Sequence, residues 1–184
     1  MDNTITTILE ILKYTIPSLI TFIACNKIVR HYLSNETKRI QLSLLKDNQE
    51  ITVRLRLQAY ERLTLFLERI HPRNLIPRIY ESGMSAAELH AAMTFNIKTE
   101  FEHNLSQQIY VTKQVWQAVR VAKEQELNMI NLVYRQLKPD SSGKEMHAKI
   151  IDYIMTVESG VPTDNALAVI NEEAKLVLSY GVQD

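Results

Sequence analysis

The sequence predicts an all-α protein in which an amino-terminal transmembrane helix and a stalk precede a bundle of four or more helices. Residues 5–25 are the most lipophilic stretch of the 184-residue chain. Most of the remaining sequence repeats apolar residues at intervals of three and four, the period of an amphipathic helix. All four glycines fall between or after these repeats. We therefore expect a membrane anchor at 1–30, a stalk or connector at 31–56 and a helical bundle domain at 57–184.

The anchor is predicted from its length, because about 20 mostly apolar residues cross the hydrocarbon of a bilayer. Glu10 and Lys13 interrupt the stretch. They are spaced i, i+3, so that they can neutralise each other near one membrane face, and lysine can extend its charge toward the headgroups. Whether these two charges act within the membrane stays open at this stage. Pro17 is compatible with a spanning helix, where proline is tolerated better than in soluble helices.

The cations that flank the anchor predict its orientation. Lys27, Arg30, Lys38 and Arg39 follow the lipophilic stretch, and no lysine or arginine precedes it. Because basic flanks tend to stay in the cytoplasm, we expect the amino terminus outside and the body inside.

Two alternatives to this topology remain open. Phe22, Ile23 and Ala24 before Cys25 are similar to the end of a lipoprotein signal, in which case an acylated Cys25 would hold the body outside. A soluble protein with a buried first helix is the other alternative. We prefer Cys25 as a small apolar residue packed in a helix.

The helices of the body are predicted from apolar spacing and from capping residues. Residues 51–57 alternate apolar and polar, the period of a strand, although no neighbouring segment offers a partner. One helix then ends before Pro72, and residues 74–80 add a short turn. Ser85 with Glu88, and Ser142 with Glu145, have capping-box spacing and start two helices. Another runs from near Thr112 to Pro139, and a last one follows Pro162; Gly160 is expected to end the helix before it.

Composition and motifs argue against several classes of protein. Lys+Arg and Asp+Glu both total 21, which disfavours a surface built throughout to bind polyanions. A single cysteine excludes an internal disulfide framework and a cysteine zinc cluster. The sequence contains no phosphate-binding glycine loop, GxGxxG, HExxH or calcium loop. We therefore expect neither an enzyme nor a cofactor.

One pair of residues offers a metal alternative. Glu100 and His103 have the Glu-x-x-His spacing of di-iron bundles, in which both ligands point to one side of a helix. Such a site needs a second copy of the motif, and the sequence has none. A solvated helix face is the preferred interpretation.

Charge is distributed unevenly along the body. Six arginines and no lysine lie between residues 54 and 78, whereas residues 140–184 carry eight acidic residues against three lysines. The arginine segment consists of Arg54, Arg56, Arg62, Arg69, Arg73 and Arg78. The two regions can pair within the chain, which we favour, or the arginines can bind an anionic lipid surface, an acidic partner or RNA. RNA is the weaker alternative because Tyr60 and Phe66 fall at core positions rather than among exposed cations.

The stretches LQAYERLTLFLERIHPRNLIPRIY at 57–80, GMSAAEL at 83–89 and EFEHNLSQQIYV at 100–111 resemble an uncharacterised family of short Bacteroidota proteins. In that family one amino-terminal membrane segment precedes a helical domain. The resemblance extends to about the end of the third helix of the body and implies membrane anchoring and a bacterial origin, with no activity or functional residues to transfer. Together with the orientation expected from the basic flank, it predicts a bacterial inner-membrane location.

The function predicted from the sequence is a single-pass, membrane-anchored cytoplasmic module for interaction or scaffolding. Its expected partners are the lipid bilayer and an unidentified protein; nucleic acid is disfavoured, and the sequence leaves the oligomeric state open. The alternatives are a small metal-binding or enzymatic helical protein and an RNA-binding module that uses the arginine segment.

Overall fold

The structure is a computed structural model that describes residues 2–156 and 161–181, with side chains for residues 7, 8, 11–156 and 161–179. The described residues form six α-helices and one short 3-10 helix. The all-α prediction is therefore confirmed. The chain divides into two compact units, residues 1–50 and 51–184. The finer division into anchor, stalk and bundle stays a prediction.

The helices follow one another with short connections. Their bounds are α1 Asp2–Ile70, α2 Pro72–Ile79, α3 Ala86–His103, the 3-10 helix Leu105–Ile109, α4 Lys113–Arg135, α5 Gly143–Thr156 and α6 Pro162–Gly181. The described residues of the first unit all belong to α1, and its described side chains from residue 11 to residue 50 are all exposed. Gly160, which was expected to end α5, lies outside the described residues.

The strand period at residues 51–57 was misleading, because these residues are helical. Val53 and Leu57 pack against the core, and Tyr60 and Leu63 continue the same spacing of three and four. The helical face therefore buries these side chains together. An isolated strand would have left its backbone donors and acceptors without a partner.

The predicted helix starts are confirmed in atomic detail. The backbone N–H of Glu88 donates to the Ser85 hydroxyl, and the Glu88 carboxylate accepts from the Ser85 backbone. Ser142 and Glu145 form the same reciprocal pair at the start of α5. These contacts satisfy backbone N–H groups that a first helical turn leaves unpaired. The hydrogen bonds from Ser85 also lower the pKa of Glu88.

The starts of α3 and α5 are joined by a short antiparallel bridge between Ser85 and Ser142. The Gly143 N–H donates to the Met84 carbonyl at 2.7 Å, and the Ala86 N–H donates to the Ser141 carbonyl at 2.9 Å. A Cβ atom at Gly143 would lie 2.9 Å from that Met84 carbonyl oxygen. Glycine is therefore required by the close approach of the two backbones.

The core of the second unit is a continuous set of apolar side chains from every α-helix of that unit. Its largest fully buried members are Phe66, Leu63, Leu67, Ile70, Leu75, Ile76, Leu89, Met93, Ile97, Ile130, Met146 and Ile150. At its edge Phe101 contacts Phe66 and stacks on Trp116, with ring centroids 5.8 and 5.5 Å apart. The Lys123 ammonium lies 4.4 Å from the Phe101 centroid, which adds a cation–π contact.

Candidate functional site

Three of the six side chains in the arginine segment form ion pairs with glutamates of α3 or α6. Arg56 lies 3.1 Å from Glu173 of α6, within the acidic region of the sequence. Arg69 lies 3.1 Å and Arg78 4.0 Å from one oxygen of Glu100 in α3. Arg54, Arg62 and Arg73 are exposed on the surface, and Arg54 makes an interaction of its own. Arg56, Arg69 and Arg78 thus pair within the chain. Arg69 and Arg78 pair with Glu100 of α3 rather than with the acidic region.

The Arg56 pair belongs to a four-residue polar network. The Tyr60 hydroxyl donates to the Glu173 carboxylate at 2.7 Å and accepts from the Arg56 guanidinium at 2.8 Å. The Thr112 hydroxyl donates to the other Glu173 oxygen and also accepts from the Val115 N–H, so that it caps α4. Glu173 therefore has partners from α1 and from the start of α4. Burial and the hydrogen bond to Glu173 raise the pKa of Tyr60 to about 12, which keeps the phenol protonated.

Two shallow grooves share Arg56 and Thr112. One, of about 380 Å³, lies along α6 and includes Val169, Leu176 and Val177. The other, of about 460 Å³, lies beside the 3-10 helix and includes Leu55 and Ile109. Ile109 is 72% exposed, which is unusual for an isoleucine in a packed domain. The network thus lies at the centre of a surface with an apolar rim.

A second polar feature is fully enclosed. Glu126 of α4 is 0% exposed, and neither of its carboxyl oxygens has a hydrogen-bond partner. Burial, and in smaller part the charge of Asp164, raise the pKa of Glu126 to about 8 from the ordinary 4.5. Because an unpaired buried carboxylate is costly, Glu126 is neutral at pH 7. The buried Thr163 hydroxyl of α6 also has no partner.

These two features fix the relation between α4 and α6. Thr112 at the start of α4 contacts Glu173 in the second half of α6. Glu126, farther along α4, is close enough to Asp164 in the first turn of α6 for the Asp164 charge to raise its pKa. The helices are therefore antiparallel. His71 caps α2 through its Nδ1 atom. Burial lowers the pKa of His71, and the charge of Asp164 opposes that effect.

The metal alternative gains no geometric support. Glu100 accepts hydrogen bonds from Arg69, and His103 is exposed one helical turn away. Within the described residues, no group of three or more His, Cys, Asp or Glu side chains could hold a metal ion.

The helix of the first unit carries the predicted anchor. Lys13, Lys27, Arg30, Lys38, Arg39 and Cys25 are exposed, and the side chain of Glu10 lies outside the described residues. The hydroxyls of Thr15, Ser18 and Thr21 donate to carbonyls three or four residues earlier in the same helix. In the part of the chain that the structure describes, no helix is both long and apolar enough to cross a membrane.

The sequence matches the model of a protein family. The model of a family of unknown function, DUF7935, matches residues 6–177. The chain belongs to this family. The DUF7935 match includes α5 and most of α6, so that the relationship extends past Pro139, where the sequence resemblance was expected to end. Neither the curated proteins nor the solved structures provided a significant match.

Family membership assigns no role to a residue of this DUF7935 protein, and the bacterial origin and the membrane segment stay predictions. The sequence did not lead us to predict that Glu126 is buried or that Glu173 belongs to a polar network. Both could have been found from spacing, because Glu126 lies four residues from Ala122 and from Ile130 on the apolar face of α4. Glu173 likewise lies between the buried Ile170 and Val177.

Proposed function

We propose that this DUF7935 protein is a membrane-attached helical interaction module, with the amino-terminal part of α1 in the bilayer and the second unit on the cytoplasmic side. The proposal includes a single pass through a bacterial inner membrane with the amino terminus outside.

The observation that carries this proposal is the exposure of apolar side chains on the first unit. From Ile11 to Leu33 the helix exposes twelve large apolar or aromatic side chains: Ile11, Leu12, Tyr14, Ile16, Leu19, Ile20, Phe22, Ile23, Ile28, Val29, Tyr32 and Leu33. They point in all directions around the helix rather than along one stripe. A helix that is apolar all round is stable in water only when it is covered, and lipid covers all sides at once.

The cations after this segment support the orientation. The four basic side chains are all exposed: Lys27, Arg30, Lys38 and Arg39. In the sequence they lie at the end of the apolar segment that leads to the second unit, or after that segment. Exposed lysine and arginine side chains beside a bilayer interact with anionic headgroups on the cytoplasmic leaflet. Lys13, near the other end, has a long side chain that can reach the interface.

Fractionation tests the attachment. We expect the full chain to pellet with membranes and to resist carbonate extraction, as a spanning helix does. Release by carbonate with retention under mild salt would support a helix that lies at the interface, and it would contradict the single pass. Recovery in the soluble fraction would refute membrane attachment.

A pair of matched variants makes the same test specific. Ile20→Lys places a charge in the middle of the apolar segment, whereas Leu42→Lys places it on a polar part of the same helix. We expect Ile20→Lys to lose membrane association and Leu42→Lys to keep it, because a lysine at the bilayer centre costs about 2.5–3.5 kcal/mol or more. Protease treatment of spheroplasts carrying a carboxy-terminal tag then tests orientation: protection supports a cytoplasmic body, and digestion contradicts it.

The surface that supports a partner-binding role is the apolar rim around the Arg56–Glu173 pair. Ile109 is the most exposed apolar side chain of that rim. We expect a protein that co-purifies with the wild type to be lost with Ile109→Glu and retained with Phe95→Glu, an equally exposed control on α3. If no co-purifying protein distinguishes the two variants, this surface is not the partner site.

A further inference from the structure

The helix of the first unit carries a heptad pattern in addition to its general apolar character. With Ile16, Ile23 and Leu44 at a positions, the d positions are occupied by Leu12, Leu19, Leu33 and Ile40. These seven side chains are between 42% and 61% exposed. In an α-helix, side chains at a and d align in a single stripe. This stripe continues past the lipophilic segment into a part of the helix that is otherwise rich in charged residues.

The residue types at these positions favour a particular assembly. β-Branched side chains at a combined with leucine at d favour two parallel strands. Two of the three apolar a positions are isoleucine, and three of the four apolar d positions are leucine. Pro17, the residue least compatible with close helix packing, falls at a b position on the outer side.

Four of the eleven a and d positions between residues 12 and 47 carry polar side chains, and two of these four satisfy each other. Asn26 at d accepts a hydrogen bond from the Arg30 guanidinium at a, with an N···O distance of 3.0 Å. The remaining polar positions are Thr37 at a, whose hydroxyl donates to the Leu33 carbonyl, and Asp47 at d. Polar side chains at isolated a and d positions reduce stability but fix register and the number of strands.

We propose that two copies of this chain form a parallel two-stranded coiled coil through the a and d positions of residues 12–47. The occupant of the stripe is thus a second copy of the same helix. The charged residues between 34 and 50 exclude lipid as the cover for Ile40 and Leu44, because Glu36, Lys38, Arg39 and Lys46 surround them. A parallel arrangement also places both amino-terminal segments at one end, as attachment to one bilayer would require. Five of the seven apolar a and d side chains, as far as Leu33, lie in the segment that we propose to be covered by lipid, so that their pairing rests on the proposed function. The pairing of Ile40 and Leu44 beyond that segment can be tested separately.

Cysteine cross-linking in the full-length protein tests register and direction. Cys25 falls at a c position and is first changed to serine. Single cysteines are then introduced by Leu33→Cys or Leu44→Cys at a/d positions, and by Leu42→Cys at an f position on the outer side. After mild oxidation of isolated membranes or of the purified protein, we expect Leu33→Cys and Leu44→Cys each to form a disulfide-linked dimer at least tenfold faster than Leu42→Cys.

Each other outcome contradicts the proposal. Equal cross-linking at all three positions would indicate random collision, and cross-linking at neither Leu33→Cys nor Leu44→Cys would exclude a parallel, in-register pair. An antiparallel pair would separate the two copies of at least one of these positions and would give at most one efficient cross-link.

Solution mass provides a second measurement that does not depend on cysteine. Sedimentation equilibrium of the full chain should give a dimer for the wild type and for Leu42→Glu, and a monomer for Leu44→Glu. A monomeric wild type, or a trimer or larger assembly, would overturn the two-stranded coil. Unchanged thermal unfolding of the second unit in Leu44→Glu shows that the substitution acts on association rather than on folding. Flotation with vesicles, measured in parallel, separates a failure of pairing from a failure of membrane attachment.

Discussion

Replacing Glu126 with glutamine should alter how the stability of the protein depends on pH. The carboxyl is 0% exposed and without a hydrogen-bond partner, and its pKa is raised to about 8 in the folded protein. In the unfolded chain it titrates near its ordinary 4.5. Between these values the folded state holds one proton that the unfolded state has released. The free energy of unfolding therefore falls as pH rises through this window.

The magnitude follows from one proton. A difference of one bound proton changes the free energy of unfolding by about 1.4 kcal/mol per pH unit. From pH 5.5 to pH 7.5, both inside the window, the wild type should lose roughly 3 kcal/mol through Glu126. Glutamine has nearly the same shape and does not titrate. The stability of Glu126→Gln relative to the wild type should therefore rise by roughly 3 kcal/mol over the same two units.

Urea denaturation of the full-length wild type and of Glu126→Gln at pH 5.5, 6.5 and 7.5 measures this difference. His71, whose pKa is lowered by burial, contributes with the opposite sign, because its folded state binds fewer protons. That contribution is present in both proteins and cancels in their difference. Glu124→Gln, two residues away and 61% exposed, is the control and should follow the wild type. Parallel pH profiles for the wild type and Glu126→Gln would refute the neutral buried carboxyl.

Three further substitutions test the contacts that organise the second unit. Gly143→Ala should destabilise the protein by about 1–3 kcal/mol in thermal unfolding, because its Cβ would meet the Met84 carbonyl; exposed Lys144→Ala should have little effect. Ser85→Ala should cost about 1 kcal/mol through loss of the cap, and a cost near zero would show that the capping box does not stabilise α3. Glu173→Gln should destabilise the protein more than Glu100→Gln does. Glu100→Gln removes ion pairs to more exposed arginines and should cost under about 1 kcal/mol. The reverse order in urea denaturation would contradict the importance of burial.

The parts of this fold that could be predicted from sequence are those that depend on near neighbours. The Ser85–Glu88 and Ser142–Glu145 boxes join residues three apart, and their chemistry is visible in the printed sequence. The spacing of apolar residues likewise gave the core faces of the helices. Residues 51–57 misled because a short alternating run satisfies the strand period by chance, and only the continuation to Tyr60 and Leu63 shows the helical period.

The candidate site was less accessible because its contacts are distant in sequence. Arg56 and Glu173 are 117 residues apart, and the choice of Glu173 among the acidic residues of the carboxy-terminal region depends on how α6 packs. The pairing of Arg69 and Arg78 with Glu100 in α3 was not predicted, because Glu100 was interpreted as part of a solvated helix face, with a metal ligand as the alternative. Net charge by region predicts attraction, but it does not determine which residues meet.

The different surroundings of Glu126 on α4 and Glu173 on α6 predict at which end the contact between these two helices weakens as pH rises. Glu173 accepts hydrogen bonds from three donors, whereas Glu126 must lose a proton beside Asp164 as pH rises. Charging Glu126 therefore weakens the contact of α4 with the first turns of α6 and leaves the Glu173 network in place. Hydrogen exchange at pH 8.5 should be faster in the wild type than in Glu126→Gln for amides near Ala166, and equal in the two proteins near Glu173. Uniformly faster exchange along the whole of α6 would instead show that the helix detaches as one unit, and it would contradict this division of the contact into a proton-dependent end and a permanently paired end.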